Sequence, residues 1–410
     1  MTAIEIRPPA GVIIGGGPAG LMVAEVLASA GWSVDVHERM PSLARKFLMA
    51  GRGGLNLTHS EPLDRLLDRY DADAEPIRAA IALFPPAATI AWAEALGEPT
   101  FVGTSGRVFP KSMKTSPLLR AWLRRLDGLG VRFHRRSRWL GWDAAGGLLF
   151  DAPASPQQVA PPDAVILALG GGSWPRLGSD GAWVPVLAGA GVAVTALTAA
   201  NCGFTAVWSA PFRTRFAGEP LKRVAITVAG ERVAGEAIVT ADGLEGGVLY
   251  ALGASIRAQL LGGPASVVFD LRPDLDVDEL VKALARARKG DTLTNTLRKA
   301  GLSPAAIGLL REAHGRDLPD NPFALAAAIK AAPIQLTGAV PMDRAISSAG
   351  GVALAELDDA FMIRARPGVF VAGEMVDWDA PTGGYLLQAT FATAVAAAHG
   401  AIAWHAGQGR

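Results

Sequence analysis

The sequence predicts an α/β fold, and three observations carry that prediction. Near the start of the chain a short apolar strand runs into a glycine-spaced turn and then a helix. In the middle, "DAVILALGGG" is a buried strand running into glycines. Near the close of the 410-residue chain, "GVFVAGE" is a third apolar strand that ends the same way. Three such strands fit one Rossmann-like sheet assembled from both ends of the chain.

The first element is "GVIIGGGPAGLMVAEVLASAGWSVDVHER". Its strand ends near Ile14, a helix is predicted from about Ala19 to Ala30, and a second strand ends at Glu38. Gly15, Gly17 and Gly20 fill the GxGxxG spacing. Gly15 permits the tight turn, Gly17 lets backbone reach a pyrophosphate, and Gly20 lets helix and strand pack closely. The helix N-terminus offers free N–H groups to phosphate. Glu38 accepts from ribose hydroxyls. The residues expected on the dinucleotide here are Gly15, Gly17, Pro18, Ala19, Gly20, Glu38 and Arg39.

NAD and FAD share this unit, and the late strand decides between them. After Val369–Ala372 come Gly373 and Glu374, an acidic loop with Asp377 and Asp379, then Gly383 and Gly384 opening an Ala-rich helix. FAD enzymes of the glutathione reductase-like class place such an acid on the ribityl chain and such a helix start at the flavin pyrimidine. The middle strand, with Ala168 and Gly170, matches the Ala-Thr-Gly segment of that class. Cofactor contacts are therefore also expected at Ala168, Gly170, Gly373, Glu374, Asp377, Gly383, Gly384, Tyr385 and Leu386. No second nucleotide unit follows, since Trp174 and Pro175 interrupt "LALGGGSWPRLG", and there is no Cys-x-x-Cys. The flavin is then reduced by transient contact with NADH or NADPH, or by the substrate.

"FLMAGRGGLNLTHSE" follows the second strand. Its glycines suit close approach to the cofactor and its arginine suits phosphate or reduced ring. Gly51, Arg52, Gly53, Gly54, Leu55 and Asn56 are expected along FAD, with Arg45 and Lys46 at the adenosine end and Thr58 and His59 nearer the ring. Candidate catalytic residues are His59 and Tyr385 as proton carriers. Arg107 and Lys111, with Lys114, are candidates to bind an anionic substrate. In "VRFHRRSRW", Arg132, His134, Arg136 and Arg138 form a basic face of an edge strand.

Composition narrows the rest. Lys plus Arg is 39 and Asp plus Glu is 38, so no global field draws nucleic acid or anionic membrane. The single cysteine, Cys202, excludes intramolecular disulfides and thiolate clusters, so no metal is expected and a reduced, cytoplasmic setting is. The N-terminal "MTAIEIRPPA" lacks a signal-peptide core. "FATAVAAAHGAIAW" is a short, Ala-rich apolar stretch interrupted by the polar His399, and it reads as a buried helix, not a membrane span.

"GGGPAGLMVA", "KFLMAGRGGLNLT", "TSGRVFP", "VILALGGGSWP", "SSAGGVALAEL" and "PGVFVAGEMVDWDAPTGGYLLQ" occur in the order found in bacterial BaiN-like flavoproteins, the NAD(FAD)-utilising or aminoacetone oxidase-like proteins. The chain resembles that family over almost its whole length. It departs at "GRGGLN", where the family usually reads Gly-Gly-Gly-Arg-Cys-Asn and Leu55 replaces the cysteine, and at "GGYLLQ", where Leu386 replaces asparagine. The resemblance implies a divergent subgroup of FAD-dependent oxidoreductases using flavin N5. Its substrate would be a small molecule with an activated C=C, or a small amine or alcohol. Two alternatives accompany it: reduction of a uridine in ribosomal RNA, and flavin holding without turnover. The resemblance also implies an inserted substrate domain. The expected division is residues 1–195 with 346–410 for the FAD domain, 196–275 with 331–345 for a β-barrel-like domain, and 276–330 for a helical subdomain, whose segments carry helical periodicity and start signals. The Pro-rich 151–163 reads as a loop within a β-meander.

Overall fold

The computed structural model describes residues 7–51, 53–71, 73–152, 157–288, 290–315 and 317–408. It divides into two compact units, one running to Thr198 and resuming at Ser347, the other spanning Ala199–Ile346.

In the first unit β1 (Ala10–Ile14) is the central strand of a parallel sheet. On one side lie β2 (Ser33–Glu38) and then β3 (Arg132–Arg135). On the other lie β4 (Ala164–Leu167) and then β5 (Val369–Val371), so the last strand comes from the far end of the chain. Val12, Ile13, Ile14 and all four residues of β4 are buried, as strands covered on both faces must be. Helix α1 (Pro18–Ser29) starts with proline in its first turn after an extended Gly17. At Gly20 a Cβ would lie 1.9 Å from the Gly15 carbonyl oxygen, so glycine alone permits this packing of helix on turn.

Helix α2 (Tyr385–Gly407) packs on α1. The helix runs through His399, because a histidine costs a helix interior little and this side chain is exposed. At 23 residues α2 is long and apolar enough to cross a membrane, and two-thirds of its apolar window, 67%, is buried inside the protein.

The basic edge strand is locally neutralised. Asp35 of β2 accepts from Arg132 Nε at 2.8 Å and lies 2.7 Å from His134 Nε2. Arg136 leaves the strand with φ +57°. Arg138 opens a three-stranded antiparallel meander, Arg138–Trp142, Leu148–Asp151 and Gln157–Val159. Just before Glu38, His37 is 3% exposed and stacked between His134 and Phe150, with ring centroids 4.5 and 4.0 Å away.

The second unit is a closed six-stranded barrel in the order Phe204–Ala206, Gly243–Glu245, Glu231–Thr240, Pro220–Val228, Ala265–Asp270, Ala332–Ala339. Where the sequence predicts only strands and turns, it also carries short helices at Ala210–Phe216, Gly247–Ala251 and Gly253–Leu260. Four helices between 277 and 330 are each capped by a side chain, from Asp276, Thr292, Ser303 and Asn321.

Burial, then the neighbouring His134 charge, pushes the His37 pKa from 6.5 down to about 4, with Asp35 opposing. The unfolded chain takes up this proton near pH 6.5 and the folded chain only near pH 4. The stability tied to neutral His37 is therefore whole above pH 6.5 and is lost as pH falls toward 4, by about 3 kcal/mol. Melting temperature measured against pH should fall across that window in the wild type and fall less steeply in His37→Gln.

Candidate active site

The glycine-terminated strand ends converge on one edge of the parallel sheet. Gly15, at φ +110°, lies so close to β4 that a Cβ would sit 2.2 Å from the Ala168 carbonyl oxygen. A Cβ on Gly373 would meet Ala19 at 2.8 Å, which brings the end of β5 onto the first turn of α1. Gly17 differs, because no atom lies within 4 Å of its Cβ position. Pro18 and Ala19 follow in the same first turn. This cradle of glycine backbone, open over Gly17 at a helix N-terminus, is suited to an anionic group.

Glu38 closes one side of the cradle. One oxygen accepts from Gly16 N–H at 2.9 Å and the other from Met40 N–H at 2.7 Å. Burial raises its pKa, against the pull of the two amides and of Arg39 and Arg45. Arg39 reaches Asp180 at 2.6 Å and the Pro175 carbonyl at 3.3 Å. Beside it opens a cavity of about 520 Å³ lined by Arg39, Met40, Arg136, Arg138, Asp151, Ala152, Pro175 and Arg176.

Across the sheet, Glu374 receives Lys46 Nζ at 2.6 Å and the Ser348 amide at 3.0 Å, while Lys46 also donates to Ser173 at 2.8 Å. Lys46, expected at the adenosine end, thus reaches Glu374. Its neighbour Arg45 stays near enough to Glu38 to lower that carboxyl's pKa. Gly170 has φ +74°, and its Cβ position lies 3.2 Å from Ser179 Oγ. Asp377 accepts from Thr195 at 2.6 Å.

In the glycine-rich loop, Arg52 lies outside the described residues. Gly51 packs against Thr115, where a Cβ would meet Oγ1 at 1.7 Å. Gly53 has open space. Gly54 has φ +110° and lies against Met113. Leu55 is buried. Among the described residues, the Asn56 side-chain oxygen, Arg45 Nε, Thr115 Oγ1 and Ser179 Oγ are buried without a hydrogen-bond partner. Buried polar atoms of this kind are rare, because water has been removed and nothing replaces it. Asn56 lies in this loop, Thr115 packs on its Gly51, and Ser179 lies against Gly170.

The loop continues to the start of α2. Gly383 and Gly384 have φ of +134° and +106°, and a Cβ on Gly384 would lie 2.4 Å from the Thr58 backbone. Below them, Gln388 accepts from Thr58 and Thr89 hydroxyls at 2.7 and 2.8 Å and donates to the Phe84 carbonyl at 2.6 Å. Tyr385 donates its hydroxyl to Glu61 at 2.6 Å, and Tyr70 donates to the Tyr385 carbonyl at 2.7 Å. His59 Nδ1 accepts from the Glu61 amide at 3.1 Å, which leaves the proton on Nε2 for the Ser105 carbonyl at 3.0 Å. Arg69 holds Glu61 at 3.0 Å. Burial raises the Glu61 pKa, but Arg69 and Tyr385 outweigh it and the net shift is downward. Burial and the Glu61 bond push the Tyr385 phenol up. The proton-bearing atoms of both expected proton carriers are thus engaged by the protein. Leu386 packs against the core. Arg107 and Lys111 are exposed, with no side-chain partner among the described residues.

The sequence reading missed Glu61, Arg69, Gln388 and Thr89. Only Glu61 carried a signal, two places after His59 in the loop already singled out.

Residues 10–400 match the family model described as HI0933-like protein Rossmann domain. A 3-dehydro-bile acid Δ4,6-reductase of Clostridium scindens is 26% identical over 400 residues, covering 93% of this chain and 96% of that one. Among solved structures, 3-ketosteroid Δ1-dehydrogenase from Sterolibacterium denitrificans, in complex with 1,4-androstadiene-3,17-dione, aligns with TM-score 0.52 and 13% identity over 96% of this chain and 99% of that one. Mycobacterium smegmatis Sdh1 in complex with UQ1 aligns with TM-score 0.51 and 14% identity over 98% and 69%. The two structures share the fold.

Gly384→Ala should lower stability by roughly 2–3 kcal/mol, because it combines positive φ with a backbone clash. Gly53→Ala, with open space, should change the melting temperature little. Thermal melts of the two variants side by side check this.

Proposed function

The chain belongs to the HI0933-like Rossmann-domain family, and on that premise we propose that it reduces a carbon–carbon double bond conjugated to a carbonyl on an apolar ring skeleton. The enzyme is an FAD-dependent oxidoreductase. The choice of substrate is supported by the Clostridium scindens relative, whose name specifies reduction at the 4 and 6 positions of a 3-dehydro-bile acid.

The observation that carries the cofactor assignment is the open space at Gly17, in a turn whose other glycines are packed against protein. The pyrophosphate would be held there, on the N-terminus of α1, by Gly15, Pro18, Ala19 and Gly20. Glu38 keeps a lone pair on each oxygen that would take the ribose hydroxyls, and Arg39 with the adjoining cavity would take the adenine end. Ala168, Gly170 and Gly373 would form the floor. Glu374, aligned by Lys46, would hold the ribityl chain, with Asp377 beyond it. Gly51, Gly53, Gly54, Leu55 and Asn56 would run along the cofactor, which would offer the Asn56 oxygen a donor. Bound FAD supplies two-electron hydride chemistry.

The protein's own contribution is positioning and charge. The N-terminus of α2 at Gly383 and Gly384 points its positive dipole end at the flavin pyrimidine, beside Tyr385 and Leu386. His59, Glu61 and Tyr385 lock that helix start in place rather than moving protons, since their polar atoms are committed to one another. Electrons would come from NADH or NADPH by transient contact, or from the substrate itself. Neither the ribosomal RNA reading nor the non-catalytic one gains support from the relatives named above.

Purified protein should be yellow and release FAD on denaturation, and Gly17→Glu should be colourless, because the side chain fills phosphate space and adds like charge. Stoichiometric FMN, or full FAD in the variant, would overturn the assignment. After anaerobic photoreduction, 4-androstene-3,17-dione should reoxidise the flavin. Reoxidation by none of a panel of conjugated enones would overturn the reaction.

A further inference from the structure

We propose that one face of the small sheet beside the α2 start binds the substrate, and that this substrate carries a carboxylate on its flat apolar body, received by Arg107. The inference deepens the reductase reading and rests on its placing of the flavin between Gly54 and Gly383.

The strand Arg107–Pro110 is flanked, antiparallel on both sides, by Thr58–His59 and Thr100–Val102. The register sets His59 opposite Arg107 and Phe101 opposite Phe109. Side chains alternate across a sheet, so Arg107 and Phe109, two apart, share a face with both partners. Along that face the Phe101 and Phe109 rings lie stacked, 5.7 Å between centroids and 28° between planes. They make an apolar pair on that face, with Phe101 39% exposed and Phe109 half-buried. At the other end His59 stacks on Tyr385, with centroids 5.3 Å apart, and both its nitrogens are occupied. It therefore offers the face a ring and no free donor.

Among the described residues Arg107 has no acid partner. Glu61, which lies beside His59, is already taken by Arg69 and Tyr385. A guanidinium without an acid among the described residues, next to the exposed Phe101 and half-buried Phe109 rings, matches a ligand with an apolar skeleton and one carboxylate, which the planar fork receives through two parallel bonds. The face is also bounded at each end by glycines of the proposed cofactor site. A Cβ on Gly383 would lie 3.8 Å from Arg107 Nε, and one on Gly54 would lie 3.7 Å from the Phe109 ring. A molecule lying on this face thus has the cofactor cradle at its border.

The test is calorimetric binding to the oxidised holoenzyme of a 3-oxo-4-ene steroid bearing a side-chain carboxylate, compared with its methyl ester. The acid should bind about 10- to 100-fold more tightly than the ester, the range for a charged hydrogen-bonded pair. Arg107→Gln should erase that preference, Arg107→Lys should retain part of it, and Phe101→Ser should weaken acid and ester alike. Equal affinity of acid and ester for the wild type, an undiminished preference in Arg107→Gln, or binding of neither would overturn the proposal. Failure of the reaction reads differently. Arg107-dependent binding of the acid with no reoxidation of photoreduced flavin would remove the reductase reading and leave the surface. Reoxidation by acid and ester with indistinguishable affinities would do the reverse.

Discussion

The close contact of Gly20 with the Gly15 carbonyl is the constraint on which the first unit depends. It draws α1 against the end of β1, and so fixes where the free amides of the helix point. Gly15 in turn lies against Ala168, and Gly373 against Ala19, so β4 and β5 are placed by the same backbone junction. A single methyl group at Gly15 or Gly373 would push apart elements that are distant in sequence, and one at Gly20 would push α1 off the end of β1. The cradle exists because the backbones meet without side chains between them.

Charge is organised around that junction by buried or half-buried acids. Glu38 holds the turn through two amides. Glu374 joins Lys46 and Ser348 across the chain. On the outer side of α1, Glu25 accepts from the indoles of Trp92 and Trp122 at 3.1 and 2.6 Å and from Arg125 at 2.8 Å, which ties two further helical segments to α1. In each case a carboxylate out of bulk water is stabilised by several donors, as its desolvation requires. Net charge near zero is therefore compatible with strong local fields.

The glycine spacing, the two terminal acids and the apolar strands were legible because each is a local signal with a mechanism: a turn, a close approach, an alternation. The Lys46–Glu374 pair was not, since residues 328 apart meet only after β5 has joined the sheet. The same holds for the His59, Glu61, Tyr385 and Gln388 network. His59 and Tyr385 look like reactive groups in sequence, and only geometry reveals that Glu61 and the Ser105 carbonyl already engage them.

The far-end origin of β5 also bears on how the chain becomes organised. Until Val369–Val371 arrives, the outer side of β4 is an uncovered apolar strand edge, the kind of template that pairs with other chains. The intervening unit shortens this interval in conformational terms. Its ends are already together, with the Ile346 amide 3.3 Å from the Asn201 carbonyl and the Val340 amide 3.0 Å from that of Gly203. With the barrel closed, only the segments 168–198 and 347–368 remain as free chain between β4 and β5, and the entropic cost of bringing them together falls accordingly. The barrel is in this sense an entropic staple for the open edge of β4.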